Sequence, residues 1–575
     1  MSLARSSVAS QFDPPSSRTD AEPTREQEEA VTAERNRRSR PARVRPRVRI
    51  ACALALTGSG LSGCMVGPNF ARPEAPVSPS WLESGDPHLQ GDTTRIERWW
   101  DVFGDPTLSH LVELAYAQNL TLRTAGLRVV QAQARRAIAI GEFFPQEQAL
   151  GGSYANELRS KNAFSGAVGE REFVTWRAGF DAAWELDLWG KFRRGIEAAD
   201  ADLLGAVATF EDVLVSLEAE VATTYIQIRT LEEQLSVARD NVRVQEDGLR
   251  IARVRFEAGG TSELDVKQAE TQLRDTEATI PQLEIQLRQA VDSLCVLLGL
   301  PPQELAALIG SGGGMVPEVP PSVAVGLPAE LLRRRPDVRA AELSAAAQSA
   351  RIGVAAAELL PAFTISGSVG LSAEKAKDFF TGRSFEAVGG PSFSWPVLNY
   401  GRLVNDVRLQ DATFQETLTN YANTVLRAQS EVEDAVVGYL RGGERVEQLS
   451  ESVEAAHRAV DLSVIQYREG AADFTSVLTS QQQALREDDL LASSRGDVAL
   501  SVVALYKALG GGWELHRGDD FVPAETREAM RARTRWGGLI QPEERAADVE
   551  KARADSGPEA EPRPWWKGRW WWPKW

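Results

Sequence analysis

The side chains that most often carry out catalysis are few in this sequence of 575 residues, which contains four histidines and three cysteines. No histidine stands at the spacing of a metal site, and no G-x-S-x-G string presents a nucleophilic serine. Residues 58–63 spell G-x-G-x-x-G, but no strand precedes them and no βαβ unit follows. The glycines of 310–314 lack the lysine of a phosphate-binding loop, which favours a flexible loop. The sequence therefore predicts a protein that is not an enzyme and that holds no metal or cofactor.

Cys64 is the residue whose surroundings predict a chemical modification. Four arginines within residues 43–49 precede the apolar run 50–56, which leads into the string Leu-Ser-Gly-Cys at residues 61–64. A basic flank, a short apolar core and small residues before a cleavage site are the parts of a bacterial lipoprotein signal, in which the cysteine is diacylated and becomes the mature N-terminus. The apolar run is too short to span a bilayer as a helix. We therefore expect a covalent lipid on Cys64; an incidental Gly-Cys pair is the alternative.

Composition and charge exclude two classes of protein. The formal net charge is −17, and such an acidic chain is poorly suited to binding nucleic acid. The hydrophobic fraction of 43% is ordinary, which argues against a polytopic helical membrane protein. Residues 1–42 are polar and rich in Arg, Ser and Glu, which predicts disorder. Because the lipoprotein signal follows this stretch, either the start of the chain is misassigned or the chain carries an extension.

Two long heptad patterns predict the elements on which any site would be built. Apolar residues fall at every seventh position within residues 190–256, and the same register returns 211 residues later. A heptad kept over this length predicts a coiled coil, since the 3.5-residue period holds one seam against a partner helix. A helix of this length is a rod of roughly 100 Å. The seam positions are Val207, Leu214, Val221, Ile228, Leu235, Val242, Leu249 and Phe256, and then Leu418, Val425, Val432, Tyr439, Val446, Val453, Val460 and Tyr467.

Alternating apolar and polar residues precede each heptad stretch and predict β-strands. Residues 174–188 place apolar side chains on one face and mostly polar or small ones on the other, and residues 363–372 repeat the alternation. A strand with an apolar outer face and a polar inner face can cross a bilayer. Period two alone also fits a soluble sandwich, which is the alternative. The flanking strands are expected near residues 146–154 and around Phe393, Trp395 and Val397.

Each half of the chain is thus predicted to run helix, strand pair, long helix, turn and return helix, as an internal duplication. Gly259 and Gly470 are expected to end the long helices at the hairpin tips, in the left-handed conformation that glycine adopts readily. Arginines before Pro336 are expected to complete one helix and Pro336 to open the next. The predicted divisions are a disordered extension and signal peptide (1–63), a lipid-anchored extended segment (64–106), a first repeat (107–300), an equatorial linker (301–330), a second repeat (331–512) and a C-terminal segment with a disordered Trp-rich tail (513–575).

Four strings place the chain near a known family. They are CMVGPNFARP at residues 64–73, WWDVFGDPTLSHLVELAYAQNL at 99–120, RRRPDVRAAE at 333–342 and LYKALGGGW at 505–513. Together they resemble the lipoprotein, NodT-type branch of the TolC-like outer-membrane efflux channels, which belong to resistance-nodulation-division efflux systems. The resemblance spans residues 64–513 and stops before the C-terminal segment.

The resemblance implies a mainly α-helical fold joined to a membrane β-barrel. In such a homotrimer, four strands per chain form a twelve-stranded outer-membrane barrel above a long periplasmic coiled-coil barrel. The implied function is passive: an exit duct for drugs or other small molecules, docked to a periplasmic adaptor and an inner-membrane resistance-nodulation-division pump. Four strands alone would leave unpaired edges in lipid, whereas three copies can close a barrel. Met65 after the acylated cysteine, rather than Asp, fits sorting to the outer membrane.

The resemblance also implies a periplasmic gate at the hairpin tips. In the family, carboxylates just beyond the second tip form a ring that constricts the entrance, but Ser476 and Thr479 stand at those positions here. Asp473 is then the candidate gate carboxylate, with Phe474 beside it as an apolar plug, and Asp265 is the matching carboxylate of the first hairpin. A helix-opening role for Asp473, stabilised by the helix dipole, is the alternative.

A periplasmic coiled-coil adaptor or scaffold lipoprotein is the competing function. Adaptors resemble a lipoyl-type β domain that flanks one helical hairpin, whereas this sequence predicts two hairpins and strands of the lipid-facing type. The final residues, PWWKGRWWWPKW at 564–575, interleave tryptophans with basic residues, which suits a membrane interface. A disordered tail is the alternative for this end.

Overall fold

A computed structural model describes residues 65–91, 96–160, 162, 172–310, 315–541 and 549–551. Cys64, the signal predicted before it and the tryptophan-rich end lie outside the described residues. The helices are α1 (Pro106–Gln118), α2 (Leu120–Phe143), α3 (Lys191–Glu257), α4 (Glu263–Leu297), α5 (Ala306–Ile309), α6 (Leu331–Arg334), α7 (Pro336–Ala357), α8 (Arg402–Arg468), α9 (Phe474–Ala508) and α10 (Ala524–Arg533). The strands are β1 (Leu89–Gln90), β2 (Glu147–Leu158), β3 (Glu172–Leu186), β4 (Val323–Ala324), β5 (Ala362–Ala373) and β6 (Phe385–Ser394).

The described chain is mainly helical, as the sequence predicts. Helices α3 and α8 have 67 residues each, and the return helices α4 and α9 have 35 each. Gly259 (φ 71°) and Gly470 (φ 75°) end the long helices in the left-handed region. The N–H of Gly260 then donates to Arg255 O at 2.8 Å, and the N–H of Ala471 donates to Gln466 O at 2.8 Å. These bonds satisfy carbonyls at the helix ends and turn the chain into each hairpin.

The heptad seams are buried within one chain only along part of their length. Val221, Ile228 and Val432 have no exposed surface. Towards the tip of the second hairpin, Val446 and Val453 are only half-buried, as is Val460. In a single chain, part of the α8 seam therefore remains partly exposed to solvent.

The four longer strands form one antiparallel sheet in the order β2-β3-β5-β6. The sequence placed Trp395 and Val397 in the last strand, and this is wrong, because β6 ends at Ser394. Pro396 lies between the two residues, has no N–H to donate to a ladder, and restricts the backbone of the residue before it. Trp395 and Val397 therefore lie in the connection that leads from β6 to α8.

The main core lies where α1, α2, α3, α8 and α9 meet. Trp99 and Trp100 are fully buried there, and the ring of Trp99 stacks on that of Tyr506 with 5.8 Å between centroids. Arg335 joins the start of α7 to the end of α9, because its Nη1 donates to Ala508 O at 2.9 Å and pairs with Glu431 at 2.7 Å. Within the described residues, no helix combines the length and the apolar character needed to cross a membrane.

The chain beyond α9 folds back onto the first helices. Val522, Met530 of α10 and Ile540 pack against Val130 of α2. Gly126 permits this approach, since the carbonyl oxygen of Phe521 lies 1.9 Å from where a Cβ of residue 126 would stand. Val549 is buried in the main core as well. The described part of the C-terminal segment is therefore packed against the rest of the fold.

Candidate functional site

One face of the four-stranded sheet is apolar and exposed. The strand register places Leu150 of β2 beside Phe180 of β3, and Phe180 beside Val369 of β5. Leu150 is 85% exposed, and Phe393 on β6 is 69% exposed. A contiguous apolar surface of this kind marks a face that contacts lipid or another protein.

Aromatic rings border this apolar face at two levels. Near the turn that joins β2 to β3, the rings of Tyr154 and Trp176 lie 4.7 Å apart. Near the helices, Trp184 donates its indole N–H to Phe143 O at 3.2 Å, and Phe363 on β5 lies 6.1 Å from Phe393 on β6. Trp176 and Trp184 stand eight residues apart on β3, or about 27 Å at the rise of a strand. Outer-membrane strands are tilted by about 40°, so this separation corresponds to a height of about 20 Å, close to the apolar band of about 25 Å between two aromatic girdles.

The opposite face of the sheet is polar. Arg177 and Asp181 of β3 lie beside Ser372 and Ser368 of β5. The Nε of Arg177 lies 3.1 Å from Oε1 of Glu386 on β6, so this ion pair reaches across β5. A charged face of this kind needs water, so the two faces of the sheet suit two different environments.

The two outer strands of the sheet have open edges. In the described part of the chain, β2 pairs only with β3 and β6 pairs only with β5. Each open edge presents unpaired backbone donors and acceptors, which can accept a further strand. Because neighbouring strands are antiparallel throughout, β2 and β6 run in opposite directions, and β6 ends at the same end of the sheet where β2 begins.

The residues that follow Cys64 are fixed where β3 leads into α3. Met65 packs on Gly190, which has a φ of 81° and precedes α3. The N–H of Val66 donates to Trp189 O at 3.0 Å. The buried Arg194 donates to Val66 O at 3.2 Å and to Asn69 Oδ1 at 2.7 Å. The segment that the sequence assigns to the lipid anchor is thus bound at the helix side of the sheet.

The predicted gate residues of the second hairpin lie together. Asp473 is the N-cap of α9, and its carboxylate accepts from the N–H and the hydroxyl of Ser476, both at 3.2 Å. Asp473, Ser476 and Thr479 are exposed and line an open groove of about 610 Å³ between α8 and α9. The capping role that the sequence left open is therefore real, and it leaves the carboxylate at the surface.

Phe474 does not fit the predicted role of an apolar plug. Its side chain is only 2% exposed, and its ring lies 5.3 Å from that of Tyr467. With Leu249 and Leu273 from the first hairpin, it forms a small core inside the tips. In one chain the first turn of α9 points this residue inward, where it joins the two hairpins.

Asp265 occupies a different environment from Asp473. It is half-buried and accepts from Thr261 Oγ1, from Ser262 Oγ at 3.3 Å and from the hydroxyl of Tyr467 at 3.4 Å. Burial raises the pKa of the Tyr467 phenol, so the hydroxyl remains a donor. Sequence reasoning noted Tyr467 only as a heptad position, and no local signal pairs it with a carboxylate 202 residues away.

Arg255 completes this contact between the hairpins. Its guanidinium lies 4.5 Å from the centre of the Tyr467 ring, and its Nη2 donates to Gly260 O at 3.2 Å. A cation over an aromatic face is attracted by the ring quadrupole. Arg255 therefore connects the end of α3 with the end of α8.

A buried carboxyl far from the tips was also missed by the sequence reasoning. Glu218 of α3 is 1% exposed, and the indole N–H of Trp99 is the hydrogen-bond donor nearest to its carboxyl among the described residues. Gly512 closes over it, since Oε2 of Glu218 lies 1.7 Å from where a Cβ of residue 512 would stand. Burial, and then the charge of Glu514, raise the pKa of Glu218 well above its ordinary value. The signal that could have found it is an acidic residue between the seam positions Leu214 and Val221.

Relatives of known type match most of the chain. The family model for outer membrane efflux proteins matches residues 111–300 and 327–511. Nodulation protein T of Rhizobium leguminosarum bv. viciae is 32% identical over 79% of this chain and 92% of its own length. The pyoverdine export outer membrane protein OpmQ of Pseudomonas putida is 33% identical over 73% of this chain and 88% of its own.

Solved structures indicate the same family and fold. The outer-membrane channel OprN is 32% identical, superimposes with a TM-score of 0.74, and is matched over 78% of this chain and 100% of its own. The Campylobacter jejuni CmeC outer membrane channel has the same fold, with a TM-score of 0.74 at 21% identity over 81% of this chain and 100% of its own. The periplasmic adaptor considered from the sequence is not favoured by these matches. This protein belongs to the family of outer membrane efflux proteins, which are transport channels rather than enzymes.

Proposed function

We propose that three copies of this chain close into one channel that forms the exit duct of a tripartite efflux pump. The observation that supports this most directly is the four-stranded sheet with two open edges, β2 and β6. Backbone groups without partners are costly in lipid, so a sheet with open edges does not span a membrane alone. Since β2 and β6 run in opposite directions, β6 of one copy can pair antiparallel with β2 of the next. Three copies give twelve strands, and the four long helices of each copy continue them as a periplasmic tube.

The two faces of the sheet support a barrel rather than a sandwich. The exposed face that carries Leu150 and Phe393 would contact lipid, with the aromatic residues at its two borders in the interfaces. The face that carries Arg177, Asp181 and Glu386 would line an aqueous lumen. A soluble sandwich would instead need a second layer over the apolar face, and the described residues provide none.

Electron microscopy of the detergent-solubilised full chain tests the assembly. We expect elongated particles with threefold symmetry by negative stain, and ion conduction when they are reconstituted into planar bilayers. Particles that contain one or two copies, or threefold particles that do not conduct, would contradict the proposed channel.

The cargo and partners follow from the relatives. Their names include export of pyoverdine and efflux of toluene and antibiotics, so we propose that this channel also passes small molecules. A periplasmic adaptor and an inner-membrane resistance-nodulation-division pump would dock at the hairpin tips. Deletion of the gene should raise retention of such compounds in cells, and expression of the protein should restore efflux. Unchanged retention of siderophore, solvent and antibiotics alike would argue against this cargo class.

A lipid on Cys64 would anchor the channel in the outer membrane. The support is the fixed position of Met65 and Val66 beside Gly190, at the end of β3, where the apolar face ends and the helices begin. An acyl chain attached to the preceding residue would start close to the membrane surface. The anchor adds to the barrel, because two acyl chains on one residue bind a membrane stably, whereas a single chain binds only weakly.

The hairpin tips would form the periplasmic gate. Asp473 is exposed in each copy, so three of them could form an acidic ring where the tips converge on the threefold axis. The contact of Tyr467 with Asp265 would hold the two hairpins of each copy together in the closed state. The gate would thus have an electrostatic part at Asp473 and a mechanical part at Tyr467.

A further inference from the structure

Tyr400 has an unfavourable backbone conformation whose cost no side-chain contact among the described residues offsets. Its φ is 52°, a left-handed value that is uncommon for a bulky side chain. The N–H of Arg402 donates to Asn399 O at 3.0 Å, so Tyr400 and Gly401 (φ 80°) form the centre of a tight turn before α8. The side chain of Tyr400 is 99% exposed, so no contact in the described chain offsets the conformational cost.

The corresponding position before α3 shows what such a residue does. Trp189 stands 211 residues earlier, next to Gly190 (φ 81°), just as Tyr400 stands next to Gly401. Trp189 is half-buried, and its indole N–H donates to Pro361 O at 2.8 Å. It also lines a small cavity together with Leu360. Because Pro361 directly precedes β5, Trp189 joins the end of β3 to the start of the neighbouring strand.

A similar segment precedes β2, but among the described residues no side chain packs on it as Trp189 packs at the start of β5. Glu142-Phe143-Phe144-Pro145 precedes β2 as Glu358-Leu359-Leu360-Pro361 precedes β5. The two segments play the same role inside their own strand pairs, where Trp184 donates to Phe143 O at 3.2 Å and Trp395 donates to Leu359 O at 3.0 Å.

The difference lies on the outer side of the segment. Leu360 is half-buried beside Trp189, whereas Phe144 is 58% exposed. Pro145 O accepts from Gln148 Nε2 at 3.2 Å, which leaves a second lone pair for another donor. The place that Trp189 fills beside β5 is therefore open beside β2.

We propose that Tyr400 packs on Phe144 and Pro145 of the next copy in the channel, in the place that Trp189 takes on Leu360 and Pro361 within one copy. The inference rests on the proposed assembly through β6 and β2. Because β6 ends where β2 begins, pairing these edges carries residues 395–400 of one copy to residues 143–145 of the next. The exposed Val397 and Leu398 extend the same apolar contact. The ring of Tyr400 then packs on Phe144, and its hydroxyl can donate to Pro145 O.

Disulfide cross-linking of the full chain in native membranes tests this contact. Tyr400→Cys combined with Phe144→Cys should give covalently linked dimers and trimers after oxidation, and neither single variant should do so. The matched control combines Phe144→Cys with Phe380→Cys, since Phe380 is also largely exposed, at 88%, but lies between β5 and β6 at the other end of the sheet. This control pair should stay monomeric on a non-reducing gel.

The outcomes separate this contact from the assembly itself. A trimeric particle without the Tyr400–Phe144 cross-link overturns the inference and leaves the proposed channel standing. A spin label attached at Tyr400→Cys in such a trimer measures exposure to lipid. If dissolved oxygen, which partitions into lipid, reaches the label readily, residue 400 faces the membrane and not the neighbouring copy. A monomeric wild type overturns both proposals.

A second set of variants tests whether the strained tyrosine stabilises the trimer. Tyr400→Gly suits the left-handed turn, so the chain should fold, but the trimer should dissociate in detergent several degrees below the wild type. The Tyr400→Phe trimer should dissociate closer to the wild-type temperature, because this variant keeps the ring and removes only the hydroxyl. Phe380→Gly, the matched loss of an exposed ring, should change nothing. A Tyr400→Gly trimer as stable as the wild type would contradict the contact.

Discussion

The hydroxyl of Tyr467, at the end of α8, lies 3.4 Å from Oδ2 of Asp265 in the first turn of α4, so one hydrogen bond joins the two hairpin tips of the chain. Arg255, at the end of α3, places its guanidinium over the same ring. The three residues come from three different helices, and each contributes a different kind of contact. Any motion that separates the two tips must break these contacts.

Removing the hydroxyl should loosen the tips. Tyr467→Phe keeps the buried ring but deletes a hydrogen bond worth about 1 kcal/mol, so the open probability in planar bilayers should rise roughly fivefold. Tyr439→Phe is the matched control, because its hydroxyl donates to Pro320 O at 2.8 Å, away from the tips. Equal effects of the two variants would show that the Tyr467 contact is only structural.

Asp473 should act by charge rather than by capping. Asp473→Asn keeps the N-cap of α9 and removes the negative charge. Single-channel conductance should therefore rise and block by multivalent cations should weaken. The thermal stability of the protein should stay the same. Asp473→Ala should show the same conductance and also lose about 1 kcal/mol of stability with the cap. If only Asp265→Asn alters the block, the first hairpin carries the gate; if neither does, the gate is not electrostatic.

The buried Glu218 should make stability depend on pH. Its pKa is raised in the folded state, so the folded chain holds this proton more tightly than the unfolded chain does. The free energy of unfolding should therefore be highest below the ordinary value of 4.5 and should fall as the pH rises towards the raised value.

Glu218→Gln should remove this dependence. The variant should be more stable than the wild type at neutral pH and should lose that advantage in acid, as measured by thermal unfolding across the pH range. Glu220→Gln, an exposed change on the same helix, is the control and should follow the wild type. Parallel pH curves for Glu218→Gln and the wild type would show that the carboxyl does not titrate as proposed.

The seam of α3 should not tolerate a charge. Ile228 has no exposed surface, so Ile228→Asp would bury an unpaired carboxylate at a cost of several kcal/mol, and the trimer should be lost. Ile228→Val should cost only about 1 kcal/mol and keep the particle intact. If electron microscopy still shows threefold particles of the Ile228→Asp protein, then the trimer does not depend on an apolar seam at Ile228.

Acylation should require Cys64. Radiolabelled palmitate should enter the wild type and not Cys64→Ala, while Cys295→Ala, which removes a buried thiol, should still be labelled. The Cys64→Ala channel should retain part of its export, because the strands can insert without the lipid. Label in the Cys64→Ala protein would show that Cys64 is not the acylated residue.

Local patterns determined most of the helices and strands. The heptads of 190–256 predict the long helix α3 because a seam needs only local spacing, and Gly259 and Gly470 predict the tips because glycine tolerates a positive φ. Alternation predicts β3 and β5 for the same reason, since side-chain direction reverses at each strand residue. The end of β6 was misjudged because alternation continues through Trp395 and Val397, although Pro396 ends the ladder.

Only the tertiary structure decided which side chains meet. Asp265 and Asp473 follow the same turn in the sequence, but packing of the two hairpins brings Asp265 to Tyr467 and leaves Asp473 in an open groove. The same packing turns Phe474 inward, which no periodicity records. Tyr400 and Trp189 occupy equivalent positions in the sequence. Trp189 is covered because β3 has a neighbouring strand on that side, whereas Tyr400 is exposed because β6 has none among the described residues. Sequence spacing fixes the direction of a side chain along its own element, whereas its partner is set by elements hundreds of residues away.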